Sequence, residues 1–356
     1  YLAESLHLDG CGDYQQHSNC RVCSKGKADH HCRNCLTGGG LLCCTCIVVA
    51  YGSIRFHVIE MWTGTTFERQ TLKQLGLQIQ LGHWHNLHRV CPVPTLATND
   101  DFVIVDIHRV LEVGLDYCGC GQGGHLTVQL LRAQLWPATT TSPKTAATFA
   151  VLHQYYLLSF ESKCSALKFY QSLAWQTDNP GLKKWWKLNE DCYHEFLRMT
   201  REWCHIRMLK RAGHDPEGIT NTKPRECALL CPACPQPRKN IRPNWENVHR
   251  DQQFLDAVFL AIDVNFHLIC KDVSTEERDP GLGKGYVFYE DMSHVRRNWN
   301  QKQDVLQRSH CVTHDTVNKL DREAWGTASL GIGAVDCVYH SMKRPLVVGD
   351  LQLGER

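Results

Sequence analysis

The segment CRVCSKGKADHHCRNCLTGGGLLCCTC, which spans residues 20–46, contains three C-x2-C pairs. It shows little apolar periodicity, and three consecutive glycines interrupt it. A segment of this kind has too few apolar side chains to build a core of its own, whereas each C-x2-C pair can bind a tetrahedral metal ion with two thiolates. The sequence therefore predicts that zinc holds this part of the chain together.

The cysteines of these pairs and the following His57 provide nearly enough ligands for two zinc ions. We expect a cross-braced, B-box-like finger in which the first and third pairs bind one ion. The second pair then binds the other ion with His57 and one more ligand. Tyr51 lies about where a second histidine is expected, and His30, His31 and Cys44 are nearby substitutes. The alternative is a set of buried thiols without metal. The predicted ligands are Cys20, Cys23, Cys32, Cys35, Cys43, Cys46 and His57.

A second set of cysteines lies in two stretches far apart in the chain. A C-x-C pair at residues 118–120 follows a predicted strand, and a C-x3-C-x2-C stretch lies at residues 227–234. The two stretches can jointly form one closed, structural four-thiolate zinc site that joins a helical region to a hairpin. The predicted ligands are Cys118, Cys120, Cys227, Cys231 and Cys234, and the alternative ligands are Cys91, His125 and His205.

The composition favours metal binding in a reducing compartment. The chain has 356 residues and 20 cysteines, a length that allows two or three domains. It shows no secretory signal at its N-terminus and no apolar run of about 18 residues, so short C-x2-C and C-x-C spacings favour zinc over disulfides and no membrane contact is expected. Because the chain begins at Tyr1 and stops abruptly, we expect it to be a fragment.

The formal net charge of +2 does not by itself indicate a nucleic-acid-binding protein. Any such role must depend on local patches of positive charge. Two stretches are candidates: KKWWK at residues 183–187, which combines lysines with two tryptophans, and RMLKRAGH at residues 207–214, which is a basic helix end. For each stretch taken alone, cations near a helix end and packed tryptophans are the stronger interpretation.

Periodicity predicts the main elements of the middle of the chain. The alternation in DDFVIVDIHRVLEVGLDYCGC, residues 100–120, indicates a β-hairpin. A helix is expected to begin at Ser142 and Pro143, and a second helix covers about residues 189–212 and ends at Gly213. Residues 68–82 are predicted to be weakly helical, and residues 253–356 alternate between strand and helix.

One carboxylate stands in each of two short apolar stretches near the C-terminus. FLAIDVNFHL, residues 259–268, reads as an interior strand that carries Asp263, and GIGAVDC, residues 331–337, carries Asp336. A buried carboxylate must be neutralised, paired or bound to metal. Two carboxylates on separate core strands can hold the Mg²⁺ ions of a nuclease. The alternative is that each aspartate satisfies a backbone donor or a neighbouring cation.

Several long, irregular strings resemble the KDZ (Kyakuja-Dileera-Zisupton) transposases, a family common in fungal genomes. In the C-terminal part these strings are CPACPQPRKNIRPNW, FLAIDVNF, KDVSTEERDPGLGKGYVF, GIGAVDC and MKRPLVVGDLQLGER. Upstream, FERQTLKQLGLQIQLGH, LDYCGC, QLLRAQLWPATTTSPKTAATFAVL and RMLKRAGHDPEGI look like the cysteine-cluster domain that precedes the transposase domain in this family.

This resemblance implies a nuclear DNA transposase with an RNase H-like, DDE-type domain. The domain would cleave and join DNA with Mg²⁺ or Mn²⁺, using Asp263 and Asp336 as catalytic metal ligands, and transposases of this chemistry act as oligomers. The resemblance also implies that the zinc-binding modules recognise DNA. The third catalytic acid is expected beyond the end of the chain, and nothing supports Asp350 or Glu355 as its substitute.

The chain also departs from the family pattern. Val338 and Tyr339 stand where Ala-Arg is usual, and Tyr51 stands for a histidine. These departures favour an alternative function, an inactive or domesticated remnant that binds DNA or protein through its zinc clusters. A ubiquitin-ligase or scaffold role would depend on residues 20–57 alone and leaves the C-terminal domain unexplained.

Taken together, the sequence predicts a multidomain α+β protein. It would have an N-terminal zinc-binding cysteine-cluster region, a helical middle region and a C-terminal, partial RNase H-like α/β domain. The expected divisions are an N-terminal tail at 1–16, the B-box-like zinc cluster at 17–65, a cysteine-cluster domain with the hairpin, helices and second zinc site at 66–245, and the incomplete transposase domain at 246–356.

Overall fold

The chain divides into two compact units, Tyr1–Cys204 and His205–Arg356. A computed structural model describes residues 1–16, 18–35, 40–53, 56–82, 91–97, 100–121, 123–178, 185–214, 218–272, 275, 277, 280–283, 285–289 and 326–351, without the side chains of residues 15 and 185–191. Lys183 and Lys184 of the KKWWK stretch and Glu355 lie outside these residues. The mixed α+β architecture predicted from the sequence is confirmed.

The first unit begins with a small region of short elements. Helix α1 (Leu2–Asp9) precedes strand β1 (His30–Cys32), helix α2 (Cys44–Tyr51), and strands β2 (Ile59–Trp62) and β3 (Phe67–Gln70). The three strands form an antiparallel sheet in the order β1-β2-β3. Its core contains Leu42, Ile47, Ile59 and Leu72, and cysteines fill much of the remaining interior.

A larger sheet forms the centre of the first unit. It contains β4 (Gln78–Gln80), β5 (Pro94–Leu96), β6 (Phe102–Val105), β7 (Val110–Cys118), β8 (Leu135–Pro137) and β9 (Thr145–Thr148). The strand order is β4-β7-β6-β9-β8, and β5 also pairs with β7. The predicted hairpin is confirmed as the antiparallel pair β6 and β7.

Helices cover the two faces of this sheet. These helices are α3 (Leu126–Arg132), α4 (Phe149–Glu161), α5 (Ala166–Thr177) and α6 (Trp185–Arg211). Val103 and Val105 pack in one core with residues of α4, α5 and α6, as their shared face predicts. Phe102 and Ile104 point to the other face and pack in a second core with Leu130 of α3. Burial of both faces makes this sheet the main apolar core of the unit.

The last of these helices also follows the sequence prediction. Helix α6 was expected over about residues 189–212 and is observed at Trp185–Arg211. Gly213 follows it with a φ of +81°. The amide of His214 donates to the carbonyl of Leu209, which closes the helix end as glycine stop signals predict.

Two predictions of helix in the first unit are wrong. The helix expected at Ser142 and Pro143 begins at Phe149, and Thr148 caps it by accepting from the amide of Val151. The residues just before it, Thr145–Thr148, instead form β9, because they pair with β6 on one side and β8 on the other. Residues 68–82 contain β3 and β4 instead of a helix, since pairing with neighbouring strands overrides a weak local preference.

The second unit contains β10 (Leu260–Asn265), β11 (Cys270–Lys271), β12 (Thr327–Ser329), β13 (Gly331–Cys337) and β14 (Lys343–Leu351). Strands β10, β13 and β14 form an antiparallel sheet with β13 in the middle, and β11 pairs with β12. The strands predicted around Asp263 and Asp336 are therefore confirmed. An RNase H-like domain is not established by these strands alone.

Strand β10 is not the interior strand that its apolar sequence suggests. Within the part of the chain that the structure describes, it pairs only with β13 and forms an edge of the sheet. Asp263 is exposed, and Ile262 keeps 78% of its surface accessible. The carboxylate of Asp263 therefore lies in water and carries no burial cost here.

None of the helices in the described residues combines the length and apolar character that crossing a membrane requires.

Phe196 provides a test of the apolar core of the first unit. Its ring is fully buried and contacts the rings of Tyr155, Phe169 and Tyr170. We expect Phe196→Ala to lower the free energy of unfolding by about 3–5 kcal/mol, because it removes buried area and leaves a cavity. Phe160 is 67% exposed, so Phe160→Ala should change stability by less than about 0.5 kcal/mol. Urea unfolding followed by circular dichroism measures both, and equal effects would contradict this core assignment.

Candidate metal centres

Four groups of cysteine and histidine side chains in the described residues have ligand atoms close enough to hold a metal ion such as zinc. Within each group the ligand atoms lie within 4.8 Å of one another. We name the groups centre I (Cys20, Cys23, Cys43 and Cys46), centre II (Cys32, Cys35 and His57), centre III (Cys91, Cys118 and Cys120) and centre IV (Cys231, Cys234, Cys337 and His340).

Centre I brings together the first and third C-x2-C pairs, the grouping expected for a cross-braced finger. The amide of Arg21, within the first pair, donates to the carbonyl of Leu41, and this bond brings the third pair close to the first. Glycine at position 26 allows Cys43 to come this close, because a Cβ at that position would lie only 2.7 Å from the Cβ of Cys43. The sulfurs of Cys23 and Cys43 are 3.8 Å apart. Tetrahedral zinc with bonds of about 2.3 Å spaces two thiolates by about 3.8 Å.

Backbone amides surround the first pair of centre I. Burial of the Cys20 thiol raises its pKa, but hydrogen bonds from the backbone at Cys23, Cys43 and Val22 outweigh this and lower the pKa to about 6. The backbone at Lys25 and Gly26 lowers the pKa of Cys23 in the same way. Hydrogen bonds to a thiolate favour the charged form that binds metal.

Centre II joins the second C-x2-C pair to His57. Antiparallel pairing of β1 with β2 places Cys32 opposite Ile59, and the amide of Val58 donates to the side chain of Asn34 at 2.7 Å. The Nδ1 atom of His57 lies 3.4 Å from the sulfurs of both Cys32 and Cys35. In a tetrahedral zinc site a thiolate and an imidazole nitrogen lie about 3.5 Å apart. This distance fits a shared ion.

Tyr51 occupies the remaining side of centre II. Its side chain is buried, and its hydroxyl hydrogen-bonds to the thiols of Cys32 and Cys35. Its ring centroid lies 5.9 Å from that of His57. Burial, followed by these thiol contacts, raises the pKa of Tyr51, so the phenol is held neutral. A neutral phenol is not among the usual zinc ligands, which are thiolate, imidazole and carboxylate.

The other candidates for this position have different partners. His30 lies within hydrogen-bond distance of Asp29 and Gln70, and His31 contacts Glu60 and stacks on Phe67. Cys44 is exposed and belongs to none of the four groups. Among the described residues, centre II therefore has three conventional ligands and a tyrosine.

Helix α2 connects the first two centres. Cys43 caps its N-terminus, Cys46 lies in its first turn, and Tyr51 is its last residue. Five residues of α-helix span about 7.5 Å, so one short rigid element ties the geometry of centre I to that of centre II.

The cysteines predicted for the joint site of the middle region belong to two different groups in the structure. Cys118 and Cys120 lie with Cys91 in centre III, where the Cys91 and Cys118 sulfurs are 3.5 Å apart. Burial raises the pKa of Cys118 to about 11. The strand pair β5–β7 explains the arrangement, because the chain from Cys91 leads into β5, and Pro94 pairs with Cys118 at the end of β7. Cys91 was among the alternatives suggested by the sequence.

The three cysteines predicted to complete that site are also distributed differently. Cys231 and Cys234 lie with Cys337 and His340 in centre IV. Cys227 is buried outside this group, where its amide donates to the carbonyl of Tyr286. The other proposed alternatives, His125 and His205, belong to none of the four groups, and His125 instead caps α3 by accepting from the amide of Thr127.

Sequence reasoning missed the ligands Cys337 and His340. Cys337-x2-His340 has the spacing of half a zinc site. Its cysteine also ends the apolar stretch that carries Asp336, and that pattern indicates only a strand. The sequence did contain a signal for this site, because Cys231 and Cys234 need two further ligands to complete a tetrahedral zinc site. Only the fold of the second unit shows that the two half-sites meet.

The two candidate catalytic carboxylates lie on the same face of one sheet. Asp263 pairs with Ala334, two residues from Asp336, so the two aspartates are diagonal neighbours on β10 and β13. The Asp263 carboxylate accepts from the amide of Val264. Asp336 forms an ion pair with Lys343 at 2.6 Å, and its Oδ1 atom is buried with no hydrogen-bond partner in the structure. Lys343 contacts only Oδ2 of Asp336, so Oδ1 is the oxygen that Asp336 can offer, with Asp263, to one divalent cation.

Residues 72–181 match the family described as "CxC2 like cysteine cluster associated with KDZ transposases". This match confirms the resemblance to the cysteine cluster of KDZ transposases, and centre III lies inside the matched range. No curated protein matches the chain, and no solved structure does. The matched segment links the chain to transposases, while centres I, II and IV lie outside it.

Adjacent cysteines offer a matched test of centre I. Cys43 belongs to the centre, whereas Cys44 is exposed beside it. We expect Cys43→Ser to lose one zinc equivalent relative to the wild-type chain, because three ligands hold the ion far less tightly than four. Cys44→Ser should keep the full content. Atomic-emission analysis of the desalted proteins measures this, and equal zinc contents would show that Cys43 is not a ligand.

Two substitutions at Tyr51 test the composition of centre II. Tyr51→His supplies an imidazole beside Cys32, Cys35 and His57, so we expect zinc at this centre to bind at least about tenfold more tightly. Tyr51→Phe removes the hydroxyl that contacts both thiols, and it should weaken binding by about tenfold. Competition with a chromophoric chelator gives the affinities. Identical affinities in all three proteins would mean that residue 51 does not influence the ion.

Proposed function

We propose that this chain is part of a DNA transposase in which zinc-binding modules recognise DNA and an RNase H-like, DDE-type domain cuts and joins it. The observation that carries the proposal is the cysteine cluster at residues 72–181, which is of the kind associated with KDZ transposases. The proposed partners are transposon ends and target DNA, the proposed compartment is the nucleus, and the active form is a homo-oligomer.

The carboxylate pair supports a catalytic role for the second unit. Asp263 and Asp336 share one sheet face, and the unpaired Oδ1 of Asp336 is suited to a cation. Mg²⁺ or Mn²⁺ at this face would activate a water or 3′-hydroxyl nucleophile and stabilise the leaving oxygen. Asp263, which faces solvent, is open to phosphodiester substrate, whereas Asp336 would bind the cation through Oδ1 while Lys343 contacts Oδ2.

The zinc centres support a recognition role by the rigidity that they provide. Centres I and II share helix α2, so bound zinc would hold the small β1-β2-β3 region in one shape. The end of α6 adds the exposed cations Lys210 and Arg211, which can contact phosphates. Closed, thiolate-rich sites of this type are structural, and base or phosphate contacts must come from the residues around them.

A second candidate function is a remnant that binds DNA or protein without cleaving DNA. The ion pair between Asp336 and Lys343 favours it, because the Lys343 ammonium already neutralises this carboxylate and repels a second cation. Such a remnant would keep the zinc centres and would lack only the cleavage and joining of DNA.

Nicking of supercoiled plasmid in Mg²⁺ or Mn²⁺ distinguishes the two candidates. If the chain is catalytic, Asp263→Asn should reduce nicking at least about 100-fold, because it removes a charged metal ligand. Asp272→Asn, at an exposed aspartate of the same unit, should leave nicking unchanged. Neither substitution should alter DNA affinity measured by fluorescence anisotropy.

The pattern of results assigns the function. Wild-type protein that binds DNA with a clear salt dependence but never nicks it favours the remnant. Nicking that survives Asp263→Asn contradicts the catalytic assignment of this residue. A folded, zinc-loaded protein that neither binds nor nicks DNA contradicts the DNA-transposase proposal and leaves only protein binding for the remnant.

A further inference from the structure

Centre IV is built from two short stretches that lie far apart in the sequence. Cys234 and Cys337 are separated by 103 positions, yet their sulfurs are 2.9 Å apart. The Nδ1 atom of His340 lies 3.4 Å from the sulfur of Cys337, and Cys231 completes the group within 4.8 Å. Zinc would space the thiolates at about 3.8 Å, so a shift of less than about 1 Å at Cys234 accommodates it.

Hydrogen bonds hold both stretches in the conformation that presents these ligands. In the first stretch, the amide of Cys234 and the side chain of Gln236 both donate to the carbonyl of Cys231. The side chain of Asn240 donates to the carbonyl of Cys234 at 2.9 Å. The first two ligands are therefore on a braced loop, which lowers the entropy cost of binding a metal.

The other two ligands lie at the end of β13 and within the turn that leads to β14. Cys337 is the last residue of β13, and its carbonyl accepts from the amide of Ser341. The amide of Cys337 donates to the carbonyl of Met342 at 2.9 Å, so the turn returns directly into β14. A Cys-x2-His spacing on such a turn directs both side chains to one point.

Apolar packing is too sparse to explain why these groups meet. The buried members of this cluster are Cys231, Cys234 and Cys337, and only Val258 and Met342 pack against them. Elsewhere in the described part of the second unit, the buried apolar side chains are few: Leu209, Cys227 and Val348. Among the described residues, few apolar contacts therefore hold these two stretches together, and a shared metal ion can fasten them instead.

We propose that centre IV is a structural zinc site that fastens the loop at residues 231–240 to the end of β13. Three thiolates and one imidazole form a complete tetrahedral set with no open position for substrate. Because Cys337 follows Asp336 directly, the ion also fixes the strand end that carries this carboxylate. The zinc site does not depend on the proposed transposase activity.

Thiol alkylation of the wild-type full chain, mapped by mass spectrometry, tests the proposal without any variant. Cys231, Cys234 and Cys337 should react slowly with iodoacetamide in the zinc-loaded protein and at least about tenfold faster after chelation, because removal of zinc opens the site. Exposed Cys270 should react at the same rate in both states. Zinc content by atomic emission is measured in parallel.

Other outcomes overturn the proposal in recognisable ways. Cysteines that stay protected after chelation but react after reduction indicate a Cys234–Cys337 disulfide. Protection that neither chelation nor reduction removes indicates thiols that are merely buried. Fast labelling before chelation shows that no ion is bound.

Variants of the full chain then assign the ligands. Cys337→Ser should lose one zinc equivalent and expose Cys231 and Cys234 to alkylation, whereas Cys270→Ser should change neither. His340→Cys should retain the ion, since thiolate replaces imidazole in many zinc sites. Retention of zinc and of protection in Cys337→Ser would overturn the ligand set. These readouts are independent of DNA cleavage, so failure here and failure of the proposed function are separate results.

Discussion

The convergence of cysteine pairs is the constraint on which both ends of this protein depend. In the β1-β2-β3 region the interior holds a few aliphatic side chains and many thiols, and the second unit buries even fewer apolar groups in its described residues. The apolar side chains buried in these described segments offset only part of the conformational entropy lost when the segments become ordered. Ligands that share one ion can supply the missing free energy, because metal binding and folding are then the same equilibrium.

The central sheet of the first unit is stabilised differently. Its strands bury apolar side chains on both faces, and α4, α5 and α6 cover one face with aromatic packing around Phe196. This core does not require metal. Centre III is attached to it at the end of β7, so a cysteine group lies on a scaffold that is already rigid. The segment related to transposase cysteine clusters thus combines an apolar core with one metal-binding group.

Elements whose pattern agrees with their environment were predicted correctly. The β6–β7 hairpin alternates as a sheet strand must, and α6 has both an apolar stripe and a glycine stop. Predictions failed where pairing outweighed local preference: Thr145–Thr148 became a central strand, although a proline-based helix start precedes it. The strand that carries Asp263 was predicted correctly as a strand, but its apolar sequence predicted an interior position. In the structure it lies at an exposed edge of the sheet.

The sequence by itself determined most of the residues that the structure brings into the four groups, because C-x2-C and C-x-C pairs have the spacing of zinc ligands. It also indicated the pairing within residues 20–57, where short loops leave few alternatives. Only the tertiary structure decided how the distant half-sites combine. Centre III joins Cys91 to the end of β7, and centre IV joins the loop at 231–234 to the turn after β13. Strand pairing determines which half-sites come together. Pairing between segments far apart in the sequence cannot be read from the spacing of cysteines within either segment.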